Sequence, residues 1–347
     1  MRIAIDCRKI GDYGIGTYIR GLIGQLSMLE GNQTYIALGP PSIKPLLPSR
    51  FEHGIVDARH YSIRELFAVA RAIKAARADL FHAPHYVVPF TNVPMVVTIH
   101  DLIHLHQPQR NPLARPYARW MLRRAITNSS RVLTVSNAVA AELRDELGAD
   151  PGRIVVIPNG VDDRFRASSA ADAESRAFLF VGNDKPHKGL ETLVRAFRAA
   201  RGVDGSLRLM LAGSAFERFA AEPGIERCGF VSDDALAALY RNALALVQPS
   251  DEEGFGLPAA EAMASGVAVI TSDAPALVEV TGDAALHVRR GDDAELASAM
   301  LRVGRDSRLR RELGARGVHR ARSFTWKRCA ELTRDAYIAA LQSPETR

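Results

Sequence analysis

Residues 249–266, PSDEEGFGLPAAEAMASG, follow the apolar run LALVQ and set the reading of the whole chain. An apolar strand pattern runs into a turn that holds Gly254 and Gly256. Pro258 then occupies the first helical position, where its fixed φ and missing N–H cost nothing, and Ala259, Ala260, Ala262, Met263 and Ala264 continue a helix. A strand that passes through a glycine turn directly into a helix is the unit from which parallel sheets with crossover helices are built.

The same alternation recurs outward in both directions. RIAIDC, TYIAL, MVVTIH, RVLTVS, RIVVIP, AFLFVG, LRLMLAG and VAVITS are β-branched runs separated by helical patterns, which predicts an α/β protein with parallel sheets. A chain of 347 residues suits two domains of ordinary size. In IPNGVDDRF, Pro158, Asn159 and Gly160 break the pattern between a strand and the polar stretch ASSAADAES, and this sets the boundary. The expected organisation is a first Rossmann-like domain over 1–160 and a second over 161–323. A C-terminal segment, 324–347, completes it. From Phe324 through Leu341 this last segment reads as one helix with Cys329, Leu332, Ala336 and Ala340 on one face, expected to cross back onto the first domain. Ligands on doubly wound sheets bind beyond the carboxyl ends of the strands, so two such domains are expected to face each other across a cleft.

Composition narrows the class. The chain is 47% hydrophobic and 24% charged, with a mean hydropathy near zero, as in an ordered globular protein. No apolar run reaches bilayer-spanning length, and MRIAIDCRKI reads as a strand rather than a secretion signal, so a cytoplasmic protein is expected. Cys7, Cys228 and Cys329 are scattered singly, which fits neither a disulfide framework nor a zinc site. The net charge of +6 favours anionic partners: phosphates, acidic lipid or nucleic acid. Nucleic acid is set aside, because no binding module is visible and the arginines are spread over several segments.

Several strand ends carry chemistry. Backbone N–H groups at the helix start after Gly256 can hold a diphosphate or a sugar hydroxyl. Glu253 on the loop and Glu261 on the helix are two carboxylates in different environments, which can serve one sugar hydroxyls and the other ribose; read alone, the pair is better described as a solvated loop acid and a helix-dipole partner. In FLFVGNDKPHKGLETLVRAF a strand ends at Gly182 and a helix starts near Gly189, which puts Lys188 where its ammonium and the helix N-terminus can stabilise a departing diphosphate. In DYGIGTYIRGL, Gly14 and Gly16 let the backbone approach phosphate or simply allow close packing. His100 closes the strand MVVTI ahead of Asp101. His104, His106, His82 and His85 raise the question of a metal, but their spacings fit no zinc pattern. NPLARPYARWMLRRAI spaces Arg115, Arg119 and Arg123 along a helix with Tyr117, Trp120 and Met121 on another face, which suits either an anionic membrane surface or an ordinary solvated face.

The stretch from Glu253 to Glu261 resembles the E-x7-E signature of the retaining family 4 glycosyltransferases of GT-B fold, including the intervening Gly-Phe-Gly-Leu and the alanine-rich helix. The resemblance implies that Glu253 holds hydroxyls of the donor sugar and Glu261 the nucleotide ribose, while the backbone of Phe255, Gly256 and Leu257 meets sugar and phosphate. Gly14 and Gly16 would belong to the family's first glycine loop. VTIHDLIHLHQP looks like its His-Asp segment, which would place His100 against the donor sugar. CGFVSDDALAALYRNA looks like the segment beside the base, which implies Phe230 and Val231; a short buried strand is the other reading. Relatives carry an arginine where this chain has Asn183, so half of the usual cationic clamp is missing, and Lys185 is the candidate substitute.

Among relatives the chain looks most similar to bacterial mannosyl- and rhamnosyltransferases of polysaccharide assembly. The expected reaction is transfer of a hexose, mannose from GDP-mannose, to a glycan or lipid-linked acceptor, with catalysis by His100, Lys188 and Glu253 and without metal or cofactor. The expected location is the cytoplasm or the inner face of the cell membrane. Two alternatives stand: a sugar-nucleotide epimerase of GT-B fold, and a nucleotide-binding interaction protein without turnover. A dehydrogenase does not fit, because DYGIGTYIRG is not a G-x-G-x-x-G fingerprint.

Overall fold

The computed structural model describes residues 1–58, 63–107, 114–167, 176–219 and 221–342. Most of the polar stretch ASSAADAES, the first three residues of NPLARPYARWMLRRAI and residues 343–347 lie outside them. The chain divides into two compact units, Met1–Gly160 with Thr325–Arg347, and Val161–Phe324.

Unit 1 comprises β1 (Arg2–Asp6), α1 (Ile15–Leu26), β2 (Thr34–Gly39), β3 (Phe51–Ile55), α2 (Ile63–Ala75), β4 (Leu80–Ala83), β5 (Met95–Ile99), α3 (Ile103–His106), α4 (Ala114–Asn128), β6 (Arg131–Thr134), α5 (Asn137–Leu147) and β7 (Ile154–Val156). Unit 2 holds β8 (Ala177–Asn183), α6 (Leu190–Val203), β9 (Arg208–Ser214), β10 (Ile225–Gly229), α7 (Asp233–Asn242), β11 (Ala245–Gln248), α8 (Leu257–Ala264), β12 (Val269–Ser272), α9 (Pro275–Thr281), β13 (Ala285–Val288), α10 (Asp293–Arg305) and α11 (Ser307–Ala321). The last helix, α12 (Trp326–Gln342), returns to unit 1.

Each unit has one parallel sheet. The orders are β3-β2-β1-β4-β5-β6-β7 and β10-β9-β8-β11-β12-β13. Both are doubly wound and reverse direction once, between β1 and β4 in unit 1 and between β8 and β11 in unit 2. Such reversals open crevices at the carboxyl ends of the central strands. Local chemistry starts and stops the helices. Ser136, Ser232, Asp292 and Asp306 cap α5, α7, α10 and α11 by accepting from backbone N–H groups three residues on, and Gly148 ends α5 in the left-handed region.

Four strands, β3, β4, β10 and β13, escape the β-branched pattern. FEHGI and IERCG are partly exposed, and LFHA and ALHV are only four residues long. β8 runs through Asn183 rather than stopping at Gly182, because Asn183 still pairs with Ser214 of β9. Phe324 stays with unit 2: its carbonyl accepts from Val161 at 3.1 Å and its ring meets Phe255 edge-on at 5.3 Å. α12 contributes Trp326, Cys329, Ala330, Ala336, Tyr337 and Ala340 to the same core as Ile3, Ile5, Ile19 and Leu22. Any Cβ on Gly21 of α1 would fall 2.2 Å from the Trp326 ring, so that glycine is the notch in which the helix seats.

Candidate functional site

In unit 2 the turns that leave β8 and β11 are locked together. The Asp251 N–H donates to the His187 carbonyl at 2.8 Å. Gly189 sits at φ 66°, and a Cβ there would lie 2.1 Å from the Pro249 carbonyl oxygen. Only glycine tolerates both the left-handed backbone and that approach. This contact brings Lys188 and Glu253, 65 residues apart, to an Nζ–Oε1 distance of 2.7 Å. The same Oε1 accepts from Gln248 Nε2 and Ser250 Oγ, each at 2.8 Å. Burial alone would push the Glu253 carboxyl up, but the Lys188 ammonium and the three hydrogen bonds outweigh it and hold the group below the usual carboxylate range.

Gln248 also organises the helix start: its Oε1 accepts the Ala259 N–H at 3.1 Å, the work of a capping side chain. Gly256 is the cap residue, at φ 88°, with Leu257 and Pro258 as the first two helical residues, so Pro258 stands one place later than its own preference suggests. The Phe255 side chain is buried against Phe324, which leaves its backbone as the part that faces the turn.

Glu261 has a different environment. It is buried in α8, and its Oε2 accepts from Tyr240 Oη at 2.9 Å. Burial pushes its pKa up to about 8 against that hydrogen bond, with Asp233 and Asp162 adding to the rise. At neutral pH Glu253 is an anion, while Glu261 mostly holds its proton.

Asn183 ends β8 with its Oδ1 buried and without a hydrogen-bond partner among the described residues. Lys185 is exposed on the following turn, with no ion pair among the described residues. The arginine that the structure does bring to this turn is Arg218, a residue the sequence reading passes over. It follows β9, donates to both Asp184 oxygens at 2.6 and 2.5 Å, and reaches Glu191 at 2.5 Å, thereby stapling the two ends of the segment that carries Lys188. Phe230 and Val231 leave the edge strand β10, and Phe230 is 70% exposed, which removes the buried-strand reading.

In unit 1, Gly14 precedes α1 at φ 51° and faces open space, whereas a Cβ on Gly16 would fall 2.7 Å from the Ile10 carbonyl oxygen. The space beside Gly14 is open, and Gly16 lets α1 approach the Ile10 carbonyl closely. His100 follows β5. Its Nε2 lies 3.1 Å from the Pro84 carbonyl, which can only accept, so Nε2 carries the hydrogen and Nδ1 presents a lone pair. Its ring meets Tyr18 edge-on at 4.7 Å. Burial pushes its pKa down to about 4 against Asp101 and the Pro84 bond, with His85 reinforcing the fall, so the ring is neutral.

His82, His85, His104 and His106 each meet partners within unit 1. His82 bridges Tyr337 Oη at 2.7 Å and Thr98 Oγ1 at 2.8 Å. His106 meets Glu146 at 2.9 Å, and His104 faces Tyr86. His85 joins a buried ion network that sequence reading missed, in which Arg8 binds Asp6 at 2.9 and 2.5 Å and Glu65 at 2.8 Å, while His85 lies 3.3 Å from Asp6. Asp6 ends β1, and Arg8 and His85 follow β1 and β4, so the network lies at the carboxyl ends of the strands that flank the reversal. No metal-holding group of His, Cys, Asp or Glu exists among the described residues. Arg115 and Arg123 are exposed on α4, and Arg119 is half-buried. No described helix is long and apolar enough to cross a membrane.

Comparison with known proteins agrees with this architecture. Residues 13–165 match the family described as Glycosyltransferase Family 4, and residues 161–320 match Glycosyl transferases group 1. The chain is 28% identical to the O-antigen chain mannosyltransferase B of Escherichia coli over 291 residues, 77% of this chain and 76% of that one. It is 33% identical over 273 residues to the MMP alpha-(1->4)-mannosyltransferase of Mycolicibacterium hassiacum, covering 72% and 66%. Among solved structures, sucrose-phosphate synthase from Thermosynechococcus elongatus superposes with a TM-score of 0.78 at 22% identity, over 97% of this chain and 98% of the other. That likeness concerns the fold.

Proposed function

The chain belongs to the family 4 and group 1 glycosyltransferases of GT-B fold, and from that premise we propose that it transfers mannose from GDP-mannose, with retention, to a hydroxyl of a glycan or lipid-linked acceptor in polysaccharide assembly. The observation that carries the reading is the Lys188–Glu253 pair at the β8–β11 reversal, beside the start of α8. A cation and a helix N-terminus at one crevice suit a pyrophosphate, and a carboxylate beside them suits sugar hydroxyls. Two mannosyltransferase relatives support the choice of sugar.

In the proposed reaction the bond between the anomeric carbon and the diphosphate oxygen breaks as the acceptor oxygen approaches the same face. The electron pair leaves with the nucleoside diphosphate, and the acceptor proton passes to a departing phosphate oxygen. Lys188 stabilises the growing charge, and Glu253 accepts from sugar hydroxyls once the diphosphate has drawn Lys188 away. His100, a neutral ring with Nδ1 as acceptor, takes a further sugar hydroxyl. Glu261 takes the ribose. Phe230 and Val231 take the base, and the backbone at Gly14 and at Phe255–Leu257 lies along the donor. The scheme uses no metal or cofactor. Arg115, Arg119 and Arg123 are the proposed contact with an anionic membrane surface.

The test is nucleotide release from GDP-, UDP-, dTDP- and ADP-sugars with and without acceptor, preceded by a thermal-shift screen of the same donors. Acceptor-dependent release from GDP-mannose is expected. Binding without release under every acceptor tried would favour the non-catalytic reading, which rests on Asn183 standing in place of an arginine.

A further inference from the structure

Four large aromatic side chains of unit 1 stand exposed on one region: Phe67 (56% exposed), Phe90 (47%), Tyr117 (42%) and Trp120 (52%). They are connected. Phe67 of α2 and Phe90 pair at 5.5 Å between ring centroids, as do Tyr117 and Trp120 of α4 at 6.3 Å. Arg124, one helical turn beyond Trp120, lies 4.1 Å over the Phe90 ring and donates to the Pro89 carbonyl at 2.8 Å. Beneath them Leu66, Val87 and Met121 form a small core of their own, which holds α2, the connection after β4 and α4 side by side.

The exposed charge on the elements that carry these rings has one sign. α2 exposes Arg64, Arg71 and Lys74, and α4 exposes Arg115 and Arg123. Across α2, residues 84–94 and α4 the one carboxylate is Glu65, which is buried and bound to Arg8. Aromatic rings level with a border of arginines, with no exposed acid between, match an interface that is apolar below and phosphate-rich above. A nucleic acid is a poorer match, because bases stack on open ring faces and one face of Phe90 is taken by Arg124.

We propose that this face rests on an anionic bilayer, with Phe67, Phe90 and Trp120 entering the boundary between headgroups and acyl chains and the flanking arginines and lysine holding lipid phosphates. This deepens the membrane part of the proposed function and does not depend on which sugar is moved.

The chain has two tryptophans, and Trp326 is buried, so a change in emission on adding vesicles reports on Trp120. With vesicles of phosphatidylcholine and phosphatidylglycerol in equal parts, the full chain should co-sediment at low salt and its emission should shift to the blue. Vesicles of phosphatidylcholine alone should give neither. Arg115→Ser with Arg123→Ser should weaken co-sedimentation by about tenfold. Phe67→Ser with Phe90→Ser should leave salt-sensitive adsorption but reduce the blue shift, with transfer to a short water-soluble acceptor unchanged. That last readout separates failure of this proposal from failure of the transferase reading. The proposal is overturned by absence of co-sedimentation with the anionic vesicles, by binding that ignores both pairs of substitutions, or by tight binding of single-stranded RNA with none to vesicles.

Discussion

At the scale of single residues, the resting Lys188–Glu253 pair implies a competition. A nucleoside diphosphate must take Lys188 from Glu253, so removing the carboxylate's charge should help the product bind while harming the reaction. Glu253→Gln is therefore expected to tighten nucleoside diphosphate binding, read by calorimetry, and to lower turnover. Lys188→Ala and Glu253→Ala should each lower turnover more than tenfold while the chain stays folded; Lys188→Ala should also cost about 1–3 kcal/mol, because it leaves a buried carboxylate without its cation. Wild-type turnover in both alanine variants would sink the site assignment. Glu261 adds a pH dependence. Its folded pKa is raised from 4.5 to about 8, so between those values the native state keeps a proton that the unfolded chain has lost. Stability should fall as pH rises through that window, by up to about 1.4 kcal/mol per pH unit, and level off above it. Glu261→Gln should flatten this part of the curve in urea titrations. Nucleotide affinity should move the opposite way, rising towards pH 8 as the carboxylate becomes free to accept from both ribose hydroxyls.

At the scale of elements, the site depends on how the turn before α6 is held, and two substitutions separate fit from anchoring. Gly189→Ala forces a side chain into a left-handed backbone position and against the Pro249 carbonyl, so both thermal midpoint and turnover should drop. Arg218→Ala removes exposed ion pairs, each worth about 1 kcal/mol or less, so the midpoint should hardly move. Turnover should still fall several-fold as the Lys188 turn loosens, with Arg218→Lys recovering part of it; unchanged turnover in Arg218→Ala would assign the arginine to the surface. The same elements mark how far the sequence could be read. Strands such as MVVTI and AFLFV sit between two covered faces and are apolar at nearly every position, so pattern alone finds them. β10, written IERCG, is an exposed edge whose polar residues mimic a loop. The junctions that carry Glu253 and Lys188 were legible as strand-turn-helix units, while the roles expected of the two residues came from the resemblance of the Glu253–Glu261 stretch rather than from local pattern. Arg218 was not legible, since its partners Asp184 and Glu191 lie 34 and 27 residues away and meet it only through β8–β9 pairing. The Asp6–Arg8–Glu65–His85 network was hidden for the same reason.

At the scale of the molecule, the two units differ in how their chain is supplied. Unit 2 is one continuous stretch, Val161–Phe324, with a core drawn wholly from itself. Unit 1 is completed by α12, which buries Trp326 and Tyr337 in the same core as β1 and α1 and supplies the hydroxyl that meets His82. Burying two large side chains contributes about 1.5–3 kcal/mol each, and leaving the His82 nitrogen without its partner costs about 1–3 kcal/mol more. Together these are comparable with the whole stability of an ordinary domain, about 5–15 kcal/mol. A chain ending at Phe324 should consequently keep a folded unit 2 and lose a cooperative unit 1. Calorimetry of residues 1–324 is expected to show one cooperative transition that nucleotide raises, and hydrogen exchange should find β1, β4 and β5 unprotected. Residues 161–324 alone should give the same nucleotide-stabilised transition. Protection of β1 in the shortened chain would mean that unit 1 holds itself together, and that α12 is attached to its core rather than part of it.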